Sequence, residues 1–281
     1  MSVSAPKSAQ SIAFIGGGNM ARSLIGGLIN TGIPKNQIAV SEPNSDLRTQ
    51  LAEDFGIAVH ASNVDAARHA DVVVLAVKPQ VMKTVCAGLR DAVQSTKALV
   101  VSIAAGIRIA QLDAWLGGNV AIVRCMPNTP ALIGAGATGL CANARVTQEQ
   151  RKRAVNILDA TGISRWVDDE KLMDTVTALS GSGPAYFFLL VEALEEAAVA
   201  QGLSRDVARE LATQTCFGAG KMLRESDVAA SELRRRVTSL GGTTQAALES
   251  FGADAFNAIV ARAIAAATKR GGELSSQLDS P

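Results

Sequence analysis

Along the first part of the chain, apolar residues fall in short continuous runs that alternate with stretches of helical spacing. The strand-like runs are 11–16, 38–41, 72–77, 99–103 and 121–124, with a last short one at 163–167. They are rich in Val and Ile and do not alternate with polar residues, the pattern of parallel strands buried on both faces. Between them, segments such as 21–31 and 47–55 repeat apolar residues at helical spacing, and the basic run 151–153 sits in a further helix. Repeated β-α units of this kind predict an α/β fold: a Rossmann-type, doubly wound, mostly parallel sheet.

Beyond residue 168 the strands stop. A helix over 169–177 is expected to break at the Ser and Gly residues of 179–182, and Pro184 then opens an apolar helix to about Gln201. Gly202 ends it, and Ser204 with Asp206 starts another helix that reaches to about 223. A second glycine-broken junction at 239–244 precedes two further helices, and the polar tail from Gly271 is expected to fray. The chain therefore reads as an α/β domain over 1–168 and an all-helical domain over 169–281. In the helix from Pro184, Phe187, Phe188, Leu190, Val191, Leu194 and Ala198 cover more than one stripe, too wide for a single packing surface. Such a helix is either the centre of a self-sufficient bundle or, as we expect for so short a helical region, intertwined with a second copy in a two-fold dimer.

Composition narrows the chemistry. The 281 residues suit two domains, and 48% hydrophobic against 19% charged residues exclude a disordered chain. A net charge of +1 leaves no electrostatic drive toward nucleic acid or anionic lipid. No window supplies the roughly 18 uncharged apolar residues of a membrane helix, and the most apolar stretch is interrupted by Glu192, Glu195 and Glu196. Residues 1–10 lack the pattern of a secretory signal. A cytoplasmic protein is expected. Cys86, Cys125, Cys141 and Cys216 are scattered in apolar surroundings and read as small buried residues, and His60 and His69 are too few for a histidine metal centre. No metal is expected, so chemistry must come from a bound cofactor, from hydroxyls or from backbone groups.

The sequence offers a place for such a cofactor. Ile15 closes the first strand, and Gly16, Gly17, Gly18, Asn19, Met20 and Ala21 follow, a G-x-G-x-x-A loop that opens a helix. Gly16 permits the tight turn, Gly18 lets the backbone approach a pyrophosphate, and Ala21 lets the helix pack on the strand. The helix N-terminus then offers free N–H groups to the phosphates. At the end of the second strand, Glu42 stands where a ribose-binding acid would favour NAD, while Ser41, Asn44 and Arg48 are suited to a 2′-phosphate; the residues leave the choice open. Ala76, Val77, Lys78 and Pro79 end the next long strand, and Ala104, Ala105 and Gly106 follow the one after, so both segments fall beside the cofactor at the carboxyl edge of the sheet. Asn128 and Thr129, between two prolines, form a stiff loop suited either to turn-making or to holding a nicotinamide amide.

Taken with Leu-Ser-Gly-Ser-Gly-Pro-Ala-Tyr over 179–186 and Val-Thr-Ser-Leu-Gly-Gly-Thr-Thr-Gln-Ala-Ala-Leu over 237–248, these segments resemble the pyrroline-5-carboxylate reductase family along nearly the whole chain. The resemblance implies reduction of 1-pyrroline-5-carboxylate to L-proline with NADPH, NADH serving in some members. It also implies a helical dimerisation domain and dimers that in some members assemble into larger rings. It assigns Asn63 to the adenosine phosphate, Gly241, Gly242, Thr243 and Thr244 to the substrate, and the Thr244 hydroxyl to the imine nitrogen. Ser180 is suited to line the same pocket from the dimer partner, or to be a plain interdomain connector. One departure is Leu240, where the family usually has proline.

Reducing a cyclic imine needs a hydrogen bond or a proton at nitrogen but no strong acid. By residues alone, a helix break and cap is the favoured role of 241–244, and it is the resemblance that reverses this order. Two rivals stand beside this reading. A β-hydroxyacid dehydrogenase would use a lysine of the helical domain, for which Lys221 is the candidate. A non-catalytic dinucleotide-binding regulator would bind nucleotide without turnover.

Overall fold

The computed structural model describes residues 11–277. Eight strands form one sheet in the order β3-β2-β1-β4-β5-β6-β7-β8. They are β1 (Ile12–Ile15), β2 (Ile38–Ser41), β3 (Ala58–His60), β4 (Val72–Leu75), β5 (Leu99–Ser102), β6 (Ile122–Met126), β7 (Gly136–Ala142) and β8 (Gly162–Trp166). Every neighbouring pair is parallel except β6 with β7. The helices on the two faces are α1 (Asn19–Asn30), α2 (Ser45–Phe55), α3 (Asn63–Ala67), α4 (Pro79–Thr96), α5 (Ile109–Trp115) and α6 (Gln148–Leu158). This is the Rossmann-type sheet that the apolar runs predict.

The runs are continuous because successive side chains of one strand feed two cores. Ala13, Ile15, Val73, Leu75 and Val100 pack with Met82, Cys86 and Leu89 of α4. Ile12, Phe14, Val72, Val74 and Val101 pack on the other face with Leu24, Ile25 and Leu28 of α1. Burial pushes the Cys86 thiol up to about 12 and raises that of Cys125, so these thiols are packing groups.

Two strands lie outside the six runs, the three-residue β3 at the sheet edge and β7. β7 (Gly-Ala-Thr-Gly-Leu-Cys-Ala) carries little β-propensity, and its glycines serve close approach instead. A Cβ on Gly139 would overlap Val176, and one on Gly162 of β8 would overlap the backbone of Gly136. The segment expected to break at 179–182 also differs: α7 (Met173–Val176) continues into a π-helix over Thr177–Gly181.

By packing, the chain divides into two compact units, residues 11–181 with 267–277, and residues 182–266. The second contains α8 (Gly183–Ala200), α9 (Arg205–Glu225), α10 (Ala230–Arg236), α11 (Thr243–Ala253) and the start of α12 (Phe256–Gln277). The tail from Gly271, expected to fray, is helical to Gln277 and packs on the α/β unit. Gly271 lies against Asp174, where a Cβ would meet the aspartate side chain at 3.3 Å.

Candidate functional site

The glycine loop lies at the carboxyl end of β1, between β2 and β4, where strand order reverses. Gly16 adopts φ +98°, and a Cβ there would stand 2.8 Å from the Ala76 carbonyl oxygen, so only glycine fits. Its N–H donates to the Ser41 carbonyl at 2.9 Å, and Ala76 N–H donates to the Ile15 carbonyl at 2.9 Å, which locks the turn to both neighbouring strands. Gly18 is exposed and has open space where a Cβ would point. It caps α1 without a side-chain hydrogen bond, so the first N–H groups of a twelve-residue helix are left for a ligand. These features fit a pyrophosphate. Asn19 is exposed beside them, and Met20 packs into the core behind α1.

At the end of β2 the candidate residues have distinct tasks. The wholly buried Ser41 hydroxyl donates to Asn63 Oδ1 at 2.7 Å, so Ser41 holds Asn63 rather than facing outward. Asn44 Oδ1 accepts from the N–H groups of Asp46 and Leu47 and caps α2. Arg48 Nη1 donates to the carbonyls of Glu42 and Pro43, at 2.7 Å each. The Glu42 carboxylate accepts from Gly17 N–H at 3.1 Å and from Asn44 N–H at 3.2 Å.

Ala76, Val77, Lys78 and Pro79 end β4, with Lys78 exposed and Pro79 opening the eighteen-residue α4. After β5, Ala104 is buried, Ala105 is exposed and Gly106 turns at φ +78°. A cleft of about 280 Å³ separates these two loops and is lined by Pro79, Gln80, Ala105 and Gly106, with Thr177 and Leu274 opposite. Leu274 is a contribution from the chain's own C-terminal helix that residue patterns did not reveal.

Two further polar groups tie the segment 170–180 to the sheet and the loop that follows β6. Arg124 on β6 is 5% exposed; Nη1 donates to Glu170 Oε1 at 2.9 Å, and Nη2 stands 3.7 Å from Asp174. Ile109 N–H donates to the same Glu170 oxygen at 2.9 Å. An arginine inside an apolar strand was the available signal, since a buried guanidinium requires a carboxylate partner. Asn128 donates to the Ser180 carbonyl and accepts from Ala137 N–H, both at 2.9 Å. That is the turn-making alternative for Asn128. Ser180 itself is half-buried in the π-helix, and its hydroxyl donates to the Val176 carbonyl at 3.0 Å.

In the helical unit, Gly241 adopts φ +69° and its N–H donates to Gln245 Oε1 at 2.7 Å. Gly242 caps the eleven-residue α11 without a side-chain hydrogen bond, so the N–H groups of its first turn face outward from Thr243 and Thr244. Leu240 is 96% exposed. Lys221 lies on the exposed surface of α9, 3.8 Å from Glu225 one turn away.

A doubly wound sheet with an open glycine cradle at its switch point defines a dinucleotide-binding protein. Residues 11–106 match the family described as NADP oxidoreductase coenzyme F420-dependent, and residues 170–274 match that described as pyrroline-5-carboxylate reductase dimerisation. The chain belongs to the pyrroline-5-carboxylate reductase family. It is 54% identical over 267 residues to the Pseudomonas aeruginosa pyrroline-5-carboxylate reductase, a match that covers 95% of this chain and 97% of that one. Its structure is similar to that of a Coxiella burnetii pyrroline-5-carboxylate reductase, with TM-score 0.93, 43% identity, and 95% and 99% of the two chains covered. It is also similar to the Plasmodium falciparum enzyme with NADP bound, with TM-score 0.81, 32% identity, and 96% and 100% covered.

Proposed function

We infer that this chain reduces 1-pyrroline-5-carboxylate to L-proline with NAD(P)H, the last step of proline biosynthesis. The observation that carries this reading is the likeness to reductases of that name over almost the full length of both chains. The enzyme is a homo-oligomer acting on a small molecule, and we take its unit to be a dimer that assembles further into a ring. Among the described residues no helix is long and apolar enough to cross a membrane. We place the enzyme in the cytoplasm, a location that its four free cysteines favour. The working division we adopt is a dinucleotide-binding domain over 1–168 and a substrate and dimerisation domain over 169–281.

Ile15–Met20 form the pyrophosphate cradle, whose open N–H groups are those of the start of α1 from Gly18 on, with Asn63 at the adenosine side, and Ala76–Pro79 and Ala104–Gly106 flank the nicotinamide half. When bound, the reduced nicotinamide supplies hydride to the imine carbon. The work left to the chain is to orient the substrate and satisfy its nitrogen. The first N–H groups of α11, presented by Gly241, Gly242, Thr243 and Thr244, hold the substrate carboxylate, because a helix N-terminus favours an anion. The Thr244 hydroxyl donates to the ring nitrogen as charge moves onto it. Ser180 is a further substrate contact, placed in a π-helix of the kind frequent at functional sites.

The test offers the imine with NADH and NADPH in parallel and follows cofactor oxidation. We expect Thr244→Ala to lower kcat about tenfold, roughly 1.4 kcal/mol of transition-state stabilisation, with recovery in Thr244→Ser. An unaltered kcat removes Thr244 from the chemistry. Lys221→Ala keeps full turnover, as its surface pairing with Glu225 implies; loss of activity there would favour the β-hydroxyacid dehydrogenase mechanism. Nucleotide binding without any turnover would favour the regulator.

A further inference from the structure

We propose that Glu170 is a positioning residue for hydride transfer: it ties the loop after β5 to β6 and so sets how Ala105 and Gly106 meet the nicotinamide half. This rests on the functional reading above. One oxygen carries both ties. Glu170 Oε1 accepts from Arg124 Nη1 of β6 and from the N–H of Ile109, the first residue of α5, at 2.9 Å each. The loop over 103–108 is thereby held at both ends, by β5 at Ser102 and by the carboxylate at Ile109.

The same guanidinium reaches another wall of the cleft. Arg124 Nη2 stands 3.7 Å from Asp174, and Asp174 lines the cleft together with Ala105, Gly106 and Thr177. Glycine at 271 lets α12 come close to the Asp174 side chain. One arginine, 5% exposed, therefore stands between two carboxylates that serve different sides of one cleft. A buried ion pair is often no better for stability than apolar side chains of like volume. What it adds here is direction, because the planar fork of a guanidinium fixes where each carboxylate stands. Direction matters in such a cleft, since a shift of about 1 Å caused far from the chemistry can cost about a hundredfold in rate.

The experiment titrates the full chain by isothermal calorimetry with NADPH and with 2′-phospho-ADP-ribose, which lacks the nicotinamide. In parallel it measures kcat with the imine, and circular dichroism checks that each variant is folded. The variants are Glu170→Ala, Glu170→Gln, whose amide oxygen keeps an acceptor for the Ile109 N–H, and Ile109→Pro. Proline is tolerated at the first position of a helix, and Arg108 before it is already extended. Ile109→Pro thus cuts the tie with the ion pair left in place, and it carries the test should Glu170→Ala fail to fold. In Glu170→Ala and Ile109→Pro we expect kcat about tenfold lower and NADPH bound severalfold more weakly, with the fragment bound as by the wild type. Glu170→Gln should recover most of both losses. Unchanged kcat in either folded variant overturns the proposal, and so does equal weakening of the two ligands, the mark of a general loss of structure. A wild type that binds NADPH but does not turn over the imine overturns the functional reading, and the binding comparison then decides the tie by itself.

Discussion

The two units of this chain satisfy the hydrophobic effect by different means. In the α/β unit, β1, β4 and β5 are buried at every position, and their side chains fill two cores within one protomer. Among the described residues of 182–266, Ala208 is the one buried apolar side chain. Phe187, Phe188, Leu189 and Phe217 are all more than half exposed. Burying one such side chain is worth about 1.5–3 kcal/mol, so a monomer would forgo several such contributions. The first unit is a finished fold, and the second is half of one. That is the physical content of a dimerisation domain: exposed apolar side chains in this number call for a partner.

The largest test of this contrast is Phe14→Ala. Phe14 is wholly buried, and the cavity should destabilise the α/β unit by about 3–5 kcal/mol in urea unfolding. A loss under 1 kcal/mol would mean that this core is not close-packed. Next comes Phe188→Arg, at a side chain 68% exposed in the protomer. The expected result is dissociation in sedimentation velocity, with the dimer Kd raised about a hundredfold, roughly 2.7 kcal/mol. An intact oligomer would show that this face is left in water. The smallest is Leu240→Pro, which restores the family's usual residue at a 96% exposed site. It should add about 0.4–1 kcal/mol of stability by restricting the unfolded chain. A destabilised variant would show that the turn's backbone does not accept proline.

Much of the α/β unit was legible because its signals are local. A buried parallel strand reads as an unbroken Val/Ile run, and β1, β2, β4 and β5 do so. β7 was not legible, because Gly136 and Gly139 are chosen for what lies against them and not for strand propensity. The Ser and Gly residues of 179–182 suggested a break, yet the stretch is a π-helix that Asn128 bridges to β7. The polar composition of 271–277 suggested fraying, whereas docking on the α/β unit keeps it helical. In the candidate site, the glycine loop was plain from spacing. The burial of Ser41 and the capping by Asn44 were not, since residue type alone does not say which partner a polar group has found.

What the amino-acid sequence determined by itself was the kind of fold, the cradle of glycines and the family, because each is written in neighbouring residues or in ordered motifs. What only the tertiary structure decided was the partner of each polar side chain around the cradle, above all the placing of the Glu42 carboxylate on Gly17. It also decided the course of β7 and the docked end of α12. These depend on groups brought together from distant parts of the chain, and a one-dimensional pattern carries no record of which distant group will fill a given hydrogen bond or close a given gap.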